Sequence, residues 1–214
     1  MARKSKSPES RRQDLIEAAS ALFKKQGFDA TSVEEIATSA GVAKGTFYLY
    51  FTSKDDMLNG IVSHMLHHVF EYIDKLIADT SKSAVDKMIG VNWYLRSVSA
   101  KNREVTEEFH DKRNELLHLK LERESIRGFV PRYQKLIEQG IAEGKFNVAH
   151  TREAAMAIMS LAACAFGDAA DLNEIMNKDR DRYCAVLDII SRILGASPEL
   201  FSDWIKKVEE YDDS

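Results

Sequence analysis

The sequence predicts an all-α protein, with an N-terminal three-helix helix-turn-helix domain and a larger C-terminal helical domain. Three observations support this fold class. Hydrophobic residues recur at helical spacing along most of the chain, helix-start signals built on serine are frequent, and no segment alternates convincingly as a strand would. The 214 residues include only three Pro and ten Gly, which is typical of long regular helices.

The first predicted helix begins at Ser7-Pro8-Glu9, which combines an N-cap serine, a proline in the first turn and an acid near the positive end of the helix dipole. Gly27 is expected to end it. Its buried face is predicted to consist of Leu15, Ala19, Leu22 and Phe23.

The second and third predicted helices are short. Ser32 and Glu35 have the spacing of a capping box, so a helix is expected to begin there and to end at Gly41. A turn of three residues follows, and helix signals resume from Lys44 to Phe51. Two short helices joined by a tight glycine-containing turn predict a helix-turn-helix.

The rest of the chain is predicted to consist of longer helices. Ser53 can cap a helix from Lys54 to about Ala78, whose apolar residues keep a 3.6-residue period. Gly128 and Pro131 are expected to break or kink the pattern that follows. The later helices are predicted at about 84–100, 103–127, 129–143, 151–170 and 180–194, with a last one opening at Ser197. This organisation predicts two domains, at residues 1–54 and 55–214.

Charge is unevenly distributed between these two parts. The net charge is −4, yet residues 1–54 hold nine Lys and Arg against six Asp and Glu, whereas residues 55–214 hold 21 against 28. A basic N-terminal part on an acidic body favours phosphate binding there. Cys164 and Cys184 are too few for a disulfide framework, and no apolar segment is long enough to span a bilayer. We therefore expect a cytoplasmic protein without a membrane anchor.

The stretch KGTFYLYF, residues 44–51, concentrates four aromatic residues directly after the predicted turn. On a helix, Phe47 and Phe51 lie on one face, where they can pack against the first two helices. Thr46, Leu49 and Tyr50 fall on the other side, with Tyr48 at the edge. Tyrosine hydroxyls can contact phosphates, and a leucine can meet a thymine methyl in the major groove. One side of this helix is thus predicted to be core and the other to meet DNA.

Residues 11 to about 58, through "DLIEAASALFKKQGFDATSVEEIATSAGVAKGTFYLYFTSKDDML", resemble the DNA-binding domain of the tetracycline-repressor (TetR) family. The resemblance implies a homodimer in which the Lys44 to Phe51 helix enters the major groove. The preferred hypothesis is a transcriptional repressor that binds a palindromic, double-stranded operator and is released by a small, largely apolar effector. Carried over position by position, the resemblance implies DNA contacts by Ser32, Lys44, Gly45, Thr46, Tyr48, Leu49, Tyr50 and Lys54. Position 49 is often aromatic in similar proteins, whereas Leu49 carries no ring and no hydroxyl for such a contact.

Candidate residues for the C-terminal domain follow from its apolar helices. An effector cavity is predicted to involve Leu66, Phe70, Trp93, Tyr94 and Phe109, although ordinary core packing explains each of these residues about as well. A dimer interface on the last long helices is predicted to involve Ala162, Ala163, Tyr183, Leu187, Ile190 and Leu194, with burial inside one chain as the alternative.

Other classes of function remain open at this point. His64 and His68 have an i, i+4 spacing that can bind a metal, so an all-helical metal- or small-molecule-binding enzyme using these histidines and His67 is the alternative function. A helical protein-binding adaptor is a third possibility. No residues stand in a recognisable catalytic spacing and no phosphate-binding glycine loop is present, so the sequence predicts neither a catalytic site nor a cofactor.

Overall fold

A computed structural model describes residues 7–110, 115–166, 179–197, 199, 200, 202, 203 and 206. The all-α prediction is confirmed, since every element over these residues is a helix. In chain order they are α1 (Pro8–Gln26), α2 (Val33–Ser39), α3 (Lys44–Phe47), α4 (Lys54–Ala78), α5 (Ala84–Lys101), α6 (Arg103–His110), α7 (Glu115–Ala142), α8 (Thr151–Phe166) and α9 (Arg180–Ile193). None of the helices in these ranges is long and apolar enough to cross a membrane.

The ends of the N-terminal helices follow from local sequence. The Ser7 hydroxyl accepts a hydrogen bond from the Ser10 N–H at 3.1 Å and starts α1, and Gly27 ends it at a φ of 85°. The predicted capping box at the start of α2 is present. Gly41, at a φ of 67°, then turns the chain toward α3, because this conformation suits a residue without a Cβ atom.

Two separate hydrophobic cores are formed, and α4 contributes to both. We call the first the N-terminal core; it consists of Leu15, Ile16, Ala19, Phe23, Ile36, Phe47, Phe51, Met57, Leu58, Ile61 and Val105. The second, the C-terminal core, gathers buried residues of α4, α5, α7, α8 and α9, including Val69 and Ile73. One end of α4 therefore packs in each core, so the helix is a direct mechanical link between them.

The helices after α5 differ from the prediction. The predicted helix over residues 103–127 includes α6, which is described to His110, and the start of α7, described from Glu115; residues 111–114 lie outside the described residues. The predicted break near Gly128 and Pro131 is wrong, since α7 continues through both residues. A Cβ atom on Gly128 would collide with the ring of Phe70 on α4. Gly128 thus serves the close approach of two helices and does not end one.

The C-terminal core also bears on the predicted dimer residues. Tyr183, Leu187 and Leu194 are 6%, 6% and 0% exposed within a single chain, and all three belong to the C-terminal core. Their side chains have little surface left for a partner, so the alternative of burial within one chain fits them better. Ala162, Ala163 and Ile190 remain partly exposed.

Candidate nucleic-acid interface

The position of α3 is fixed by two phenylalanines. Phe47 and Phe51 are 0% and 2% exposed in the N-terminal core, with ring centroids 5.7 Å apart. The helix is shorter than predicted: it ends at Phe47, whose carbonyl accepts the N–H groups of both Tyr50 and Phe51 at 3.0 Å. Residues 48–50 therefore form turns that project beyond the helix while Phe51 returns to the core.

These turns present unusually exposed apolar side chains. Leu49 is 81% exposed and Tyr48 is 52% exposed, whereas Thr46 and Tyr50 are half-buried. Gly45 adds an open side, because a Cβ atom placed there would meet nothing within 4 Å. An apolar side chain held out by two buried anchors, beside a glycine with free space, is a surface that another molecule can approach closely.

Ser32 and Lys44 lie at the ends of α2 and α3 that face solvent. Ser32 caps α2, and its N–H and hydroxyl both donate to Glu35 Oε2 at 2.8 Å. These hydrogen bonds, led by the one from the Ser32 backbone, hold the pKa of the Glu35 carboxyl below its usual value. Lys44 forms an exposed ion pair at 3.5 Å with Glu34. Such a pair contributes little, so the ammonium of Lys44 can exchange it for a phosphate.

Lys54 is placed differently from the other predicted contacts. Its Nζ donates to three backbone carbonyls of the α1–α2 connection, those of Phe28 at 2.6 Å, Thr31 at 3.1 Å and Asp29 at 3.4 Å. It also lies 4.2 Å from the centroid of the Phe28 ring. An ammonium has three N–H donors, and all three are engaged within the chain. This geometry argues against the predicted phosphate contact and indicates that Lys54 positions the loop before α2.

Sequence reasoning missed the partners of Lys54. The predicted set contains neither Phe28 nor Thr31, whose hydroxyl donates to the Gly27 carbonyl at 2.7 Å and folds the loop around the ammonium. Backbone carbonyls carry no sequence signal. The only available hint was the aromatic residue directly after Gly27.

The α4 histidines form a cluster at the contact between α1 and α4. His64 Nε2 lies 3.0 Å from His68 Nε2 and 3.0 Å from Gln13 Nε2 on α1. Glu71 approaches both His67 and His68. Burial, followed by the charge of His68, lowers the pKa of His64. Within the described residues, no group of three or more His, Cys, Asp or Glu side chains is placed to hold a metal ion.

The predicted effector residues are distributed over two helix contacts. Phe70 packs on α7, with its ring centroid 5.0 Å from that of Phe129. Tyr94 stacks on Tyr72 at 3.9 Å, between α4 and α5. Leu66 is half-buried and Trp93 is 39% exposed, while the side chain of Phe109 lies outside the described residues.

Comparisons with known proteins agree with this arrangement. Residues 15–61 match the model for bacterial regulatory proteins of the tetR family, and residues 97–180 match the tetracyclin repressor-like C-terminal domain. Together the two matches cover more than half of the chain.

Among curated relatives, the chain is similar to the transcriptional repressor KstR2 of Mycolicibacterium smegmatis, at 34% identity over 39% of this chain and 40% of that protein. It is also similar to the uncharacterised regulator YfiR of Bacillus subtilis, at 27% identity over 64% and 68%. The chain thus matches only about two fifths of the KstR2 length. Among solved structures, RolR in complex with resorcinol has a TM-score of 0.64 at 20% identity, covering 92% of this chain and 93% of that one.

Proposed function

The chain belongs to the TetR family of DNA-binding transcriptional regulators, and from this premise we propose that it is a repressor that binds a palindromic operator as a homodimer and is released by a small, largely apolar effector. The observation that carries the proposal is the surface formed by Tyr48, Leu49 and the open side of Gly45. Its residues are held out from a buried core, and the Tyr48 ring packs edge-on against the buried Phe47 with centroids 5.4 Å apart.

The arrangement supports two kinds of DNA contact, one to phosphates and one to base edges. Lys44 and the hydroxyl of Tyr48 would contact phosphates, which gives affinity for any sequence. Leu49 and Thr46 would meet base edges in the major groove, which gives preference among sequences. Two copies would place two such surfaces about one DNA turn apart, which requires a dimer of fixed geometry.

The effector would release the protein from its operator by acting through α4. Because Met57 and Ile61 pack in the N-terminal core while Val69 and Ile73 pack in the C-terminal core, a shift of α4 moves one core relative to the other. An effector acts only if it binds one position of α4 more tightly than the other. The resorcinol held by RolR shows that a protein of this fold binds a small aromatic molecule, which supports an effector of that size here.

DNA binding is tested by fluorescence anisotropy with the DNA upstream of the protein's own gene, over a series of salt concentrations. We expect Lys44→Ala to weaken binding to all sequences and to lower the salt slope by about one. Leu49→Ala should keep the slope and reduce the preference for the operator over random DNA. Equal losses on both DNAs for Leu49→Ala would remove Leu49 from base recognition, and binding without salt dependence would overturn the proposal.

The dimer is expected to use the exposed faces of α8 and α9. Asn147 N donates to the Leu194 carbonyl at 2.9 Å, so the loop before α8 lies beside the end of α9. Each exposes one large apolar residue, Met156 at 42% and Ile189 at 43%. These side chains, together with the partly exposed Ala162 and Ala163, form the face that we propose for the partner chain.

Ile189→Asp tests this face, because an unpaired charge in a buried contact opposes association. We expect sedimentation of a monomer and loss of operator affinity, since one half-site provides half of the contacts. Leu49→Asp is the matched control, as it places the same charge on another exposed apolar residue and should abolish DNA binding while leaving the dimer intact. A dimeric Ile189→Asp protein with full affinity would place the interface elsewhere.

A further inference from the structure

Two histidines of α4 bring their ring nitrogens into direct contact. His64 Nε2 lies 3.0 Å from His68 Nε2, and the two rings meet nearly at right angles, with centroids 4.3 Å apart. The residues are four positions apart, so successive turns of the helix place one ring above the other. In a neutral histidine, one ring nitrogen carries a proton and the other offers a lone pair. The hydrogen bonds around the two rings determine which nitrogen does which.

The surrounding contacts leave a lone pair on both Nε2 atoms when the rings are neutral. His68 Nδ1 lies 3.2 Å from Glu71 Oε2, and because a carboxylate only accepts, Nδ1 carries the proton and Nε2 does not. The Gln13 amide nitrogen donates to Glu17 Oε1 at 2.9 Å, which distinguishes it from the amide oxygen. The same nitrogen lies 3.0 Å from His64 Nε2, so His64 accepts there. Both Nε2 atoms are therefore acceptors.

Two lone pairs 3.0 Å apart repel each other, so the contact between His64 and His68 is favourable only with a positive charge at the two nitrogens. An added proton on one Nε2 atom is one source of that charge. A metal ion bound to both nitrogens is the other, since the neutral imidazole is the commonest metal ligand in proteins. Glu71 suits the second source, because a metal-binding histidine usually donates its other N–H to a carboxylate.

The separation of the nitrogens favours one class of metal. With metal–nitrogen bonds of about 2.1 Å, a 90° angle at the metal places two nitrogens about 3.0 Å apart, whereas a tetrahedral angle places them about 3.4 Å apart. The observed 3.0 Å matches the square-planar or tetragonal coordination of Ni²⁺ and Cu²⁺ better than that of Zn²⁺. No third His, Cys, Asp or Glu ligand joins the pair within the described residues. Water would complete the coordination, since the His68 side chain is 52% exposed.

Charged side chains of both signs lie around the pair. Glu71 contacts His68, and Glu17 reaches His64 through the Gln13 amide, so one carboxylate is placed near each ring. Arg12 also acts on His64, with a smaller effect than that of Glu17. The carboxylates therefore outweigh the guanidinium, which favours a cation at this position.

We propose that His64 and His68 form a binding site for a divalent metal ion of the Ni²⁺ or Cu²⁺ class at the contact between α1 and α4. The site is separate from the surface formed by Tyr48, Leu49 and Gly45 and does not depend on the proposed operator function. Because the metal takes the lone pair of His64 Nε2, the hydrogen bond from Gln13 is lost when the metal binds. Metal binding thus changes how α1 is held to α4, the helix that packs in both cores.

Isothermal titration calorimetry with Ni²⁺ tests the site, using the full chain without an affinity tag. His64→Gln and His68→Gln should each weaken Ni²⁺ binding about tenfold or more, since each removes one of two protein ligands. His67→Gln is the matched control and should bind as the natural protein does, because it removes a neighbouring imidazole of α4 that contacts the same Glu71 at 3.4 Å. Zn²⁺ should bind more weakly than Ni²⁺.

Three results would overturn the metal site. Absence of Ni²⁺ binding would leave a proton as the only cation between the rings, full affinity in His68→Gln would remove the pair from the binding site, and an equal loss in His67→Gln would mean that any histidine of α4 serves. Tighter binding of Zn²⁺ would contradict the coordination geometry. His68 is exposed, so His68→Gln should keep the circular dichroism spectrum and Tm of the natural protein and remains a valid test if His64→Gln does not fold.

Discussion

Glycines in turns and glycines at helix contacts serve opposite purposes in the protein. Gly27 and Gly41 lie after α1 and α2 at positive φ and turn the chain, as Gly144 does after α7. Inside α7, a Cβ atom on Gly128 would collide with the ring of Phe70, and inside α4 one on Gly60 would collide with the ring of Phe51. The turn glycines permit a backbone conformation, and the helix-contact glycines permit a close approach between packed elements.

This difference explains where sequence patterns succeed. Glycine marks helix ends where a tight turn follows, because the turn itself requires it. Inside a long packed helix, the same residue is selected by a neighbour that is distant in sequence. Phe70 and Gly128 are 58 positions apart, so the residues near Gly128 in the sequence do not predict its contact with the Phe70 ring.

The largest effect is expected from Gly128→Ala. Alanine favours a helix over glycine by about 1 kcal/mol, but overpacking costs about 1–3 kcal/mol, and here three atoms of the Phe70 ring stand in the way. We expect the free energy of unfolding to fall by about 2 kcal/mol, measured in urea. Gly45→Ala is the control, since its Cβ atom meets nothing, and it should leave stability within about 0.5 kcal/mol.

Replacing Phe70 by Leu in the Gly128→Ala background should restore part of the loss, because the clashing ring is removed. If Gly128→Ala were more stable than the natural protein, α7 and α4 could separate without cost. The distinction between turn glycines and packing glycines would then fail.

A second comparison concerns two lysines that bind backbone carbonyls, one in each domain. Lys87 on α5 is 2% exposed, and its Nζ donates to the Ile77 carbonyl at 3.0 Å and to Gln139 Oε1 at 2.8 Å. It thereby satisfies the end of α4 from inside the C-terminal domain. Lys87→Met keeps the apolar stem but leaves both acceptors unpaired.

We expect Lys87→Met to lower the free energy of unfolding by about 1.5 kcal/mol, since unpaired buried acceptors cost about 1–3 kcal/mol and the added apolar burial offsets part of it. Urea unfolding at neutral pH measures this. DNA affinity per folded molecule should not change. An unaltered midpoint would mean that water replaces the ammonium.

Lys54→Met makes the corresponding change at the N-terminal domain, where the ammonium is partly exposed and the loss should be smaller, about 1 kcal/mol. The α1–α2 connection should loosen, so operator affinity falls. The salt slope should stay constant, because the ammonium is occupied by carbonyls and does not contact phosphate. A slope reduced by about one, as Lys44→Ala should show, would instead restore the direct contact that the sequence predicted.

The sequence could predict the features that depend on nearby residues, and it could not predict those that depend on contacts between distant residues. The start of α1, the capping box of α2 and both ends of α4 were predicted correctly, because caps act within four residues of the bonds they make. The buried role of Phe47 and Phe51 was also confirmed. The partners of Lys54 and the continuity of α7 depend on contacts between distant residues. The DNA-contact set stays a prediction, apart from Lys54, whose bonds favour a positioning role.

The smallest predicted effect is a dependence of stability on pH. It arises from His64, which lies at the contact between α1 and α4. Around this ring lie Gln13, Glu17 and Arg12 on α1, together with His67 and His68 on α4. Burial is the main cause that lowers the pKa of His64, followed by the charge of His68, whereas Glu17 opposes the shift. The unfolded chain therefore binds a proton at this position more readily than the folded chain.

The direction in which stability changes with pH follows from this difference in proton binding. Stability from neutral His64 is complete above the unfolded pKa of about 6.5 and is lost as pH falls from there through the lower folded pKa. We expect Tm to fall between pH 7 and pH 5 more in the natural protein than in His64→Gln, which keeps a hydrogen-bonding side chain toward Gln13 but does not titrate. His150→Gln is the control, because His150 is exposed and is not among the groups that act on His64. Parallel profiles for His64→Gln and the natural protein would show that protonation of His64 does not reach the contact between α1 and α4.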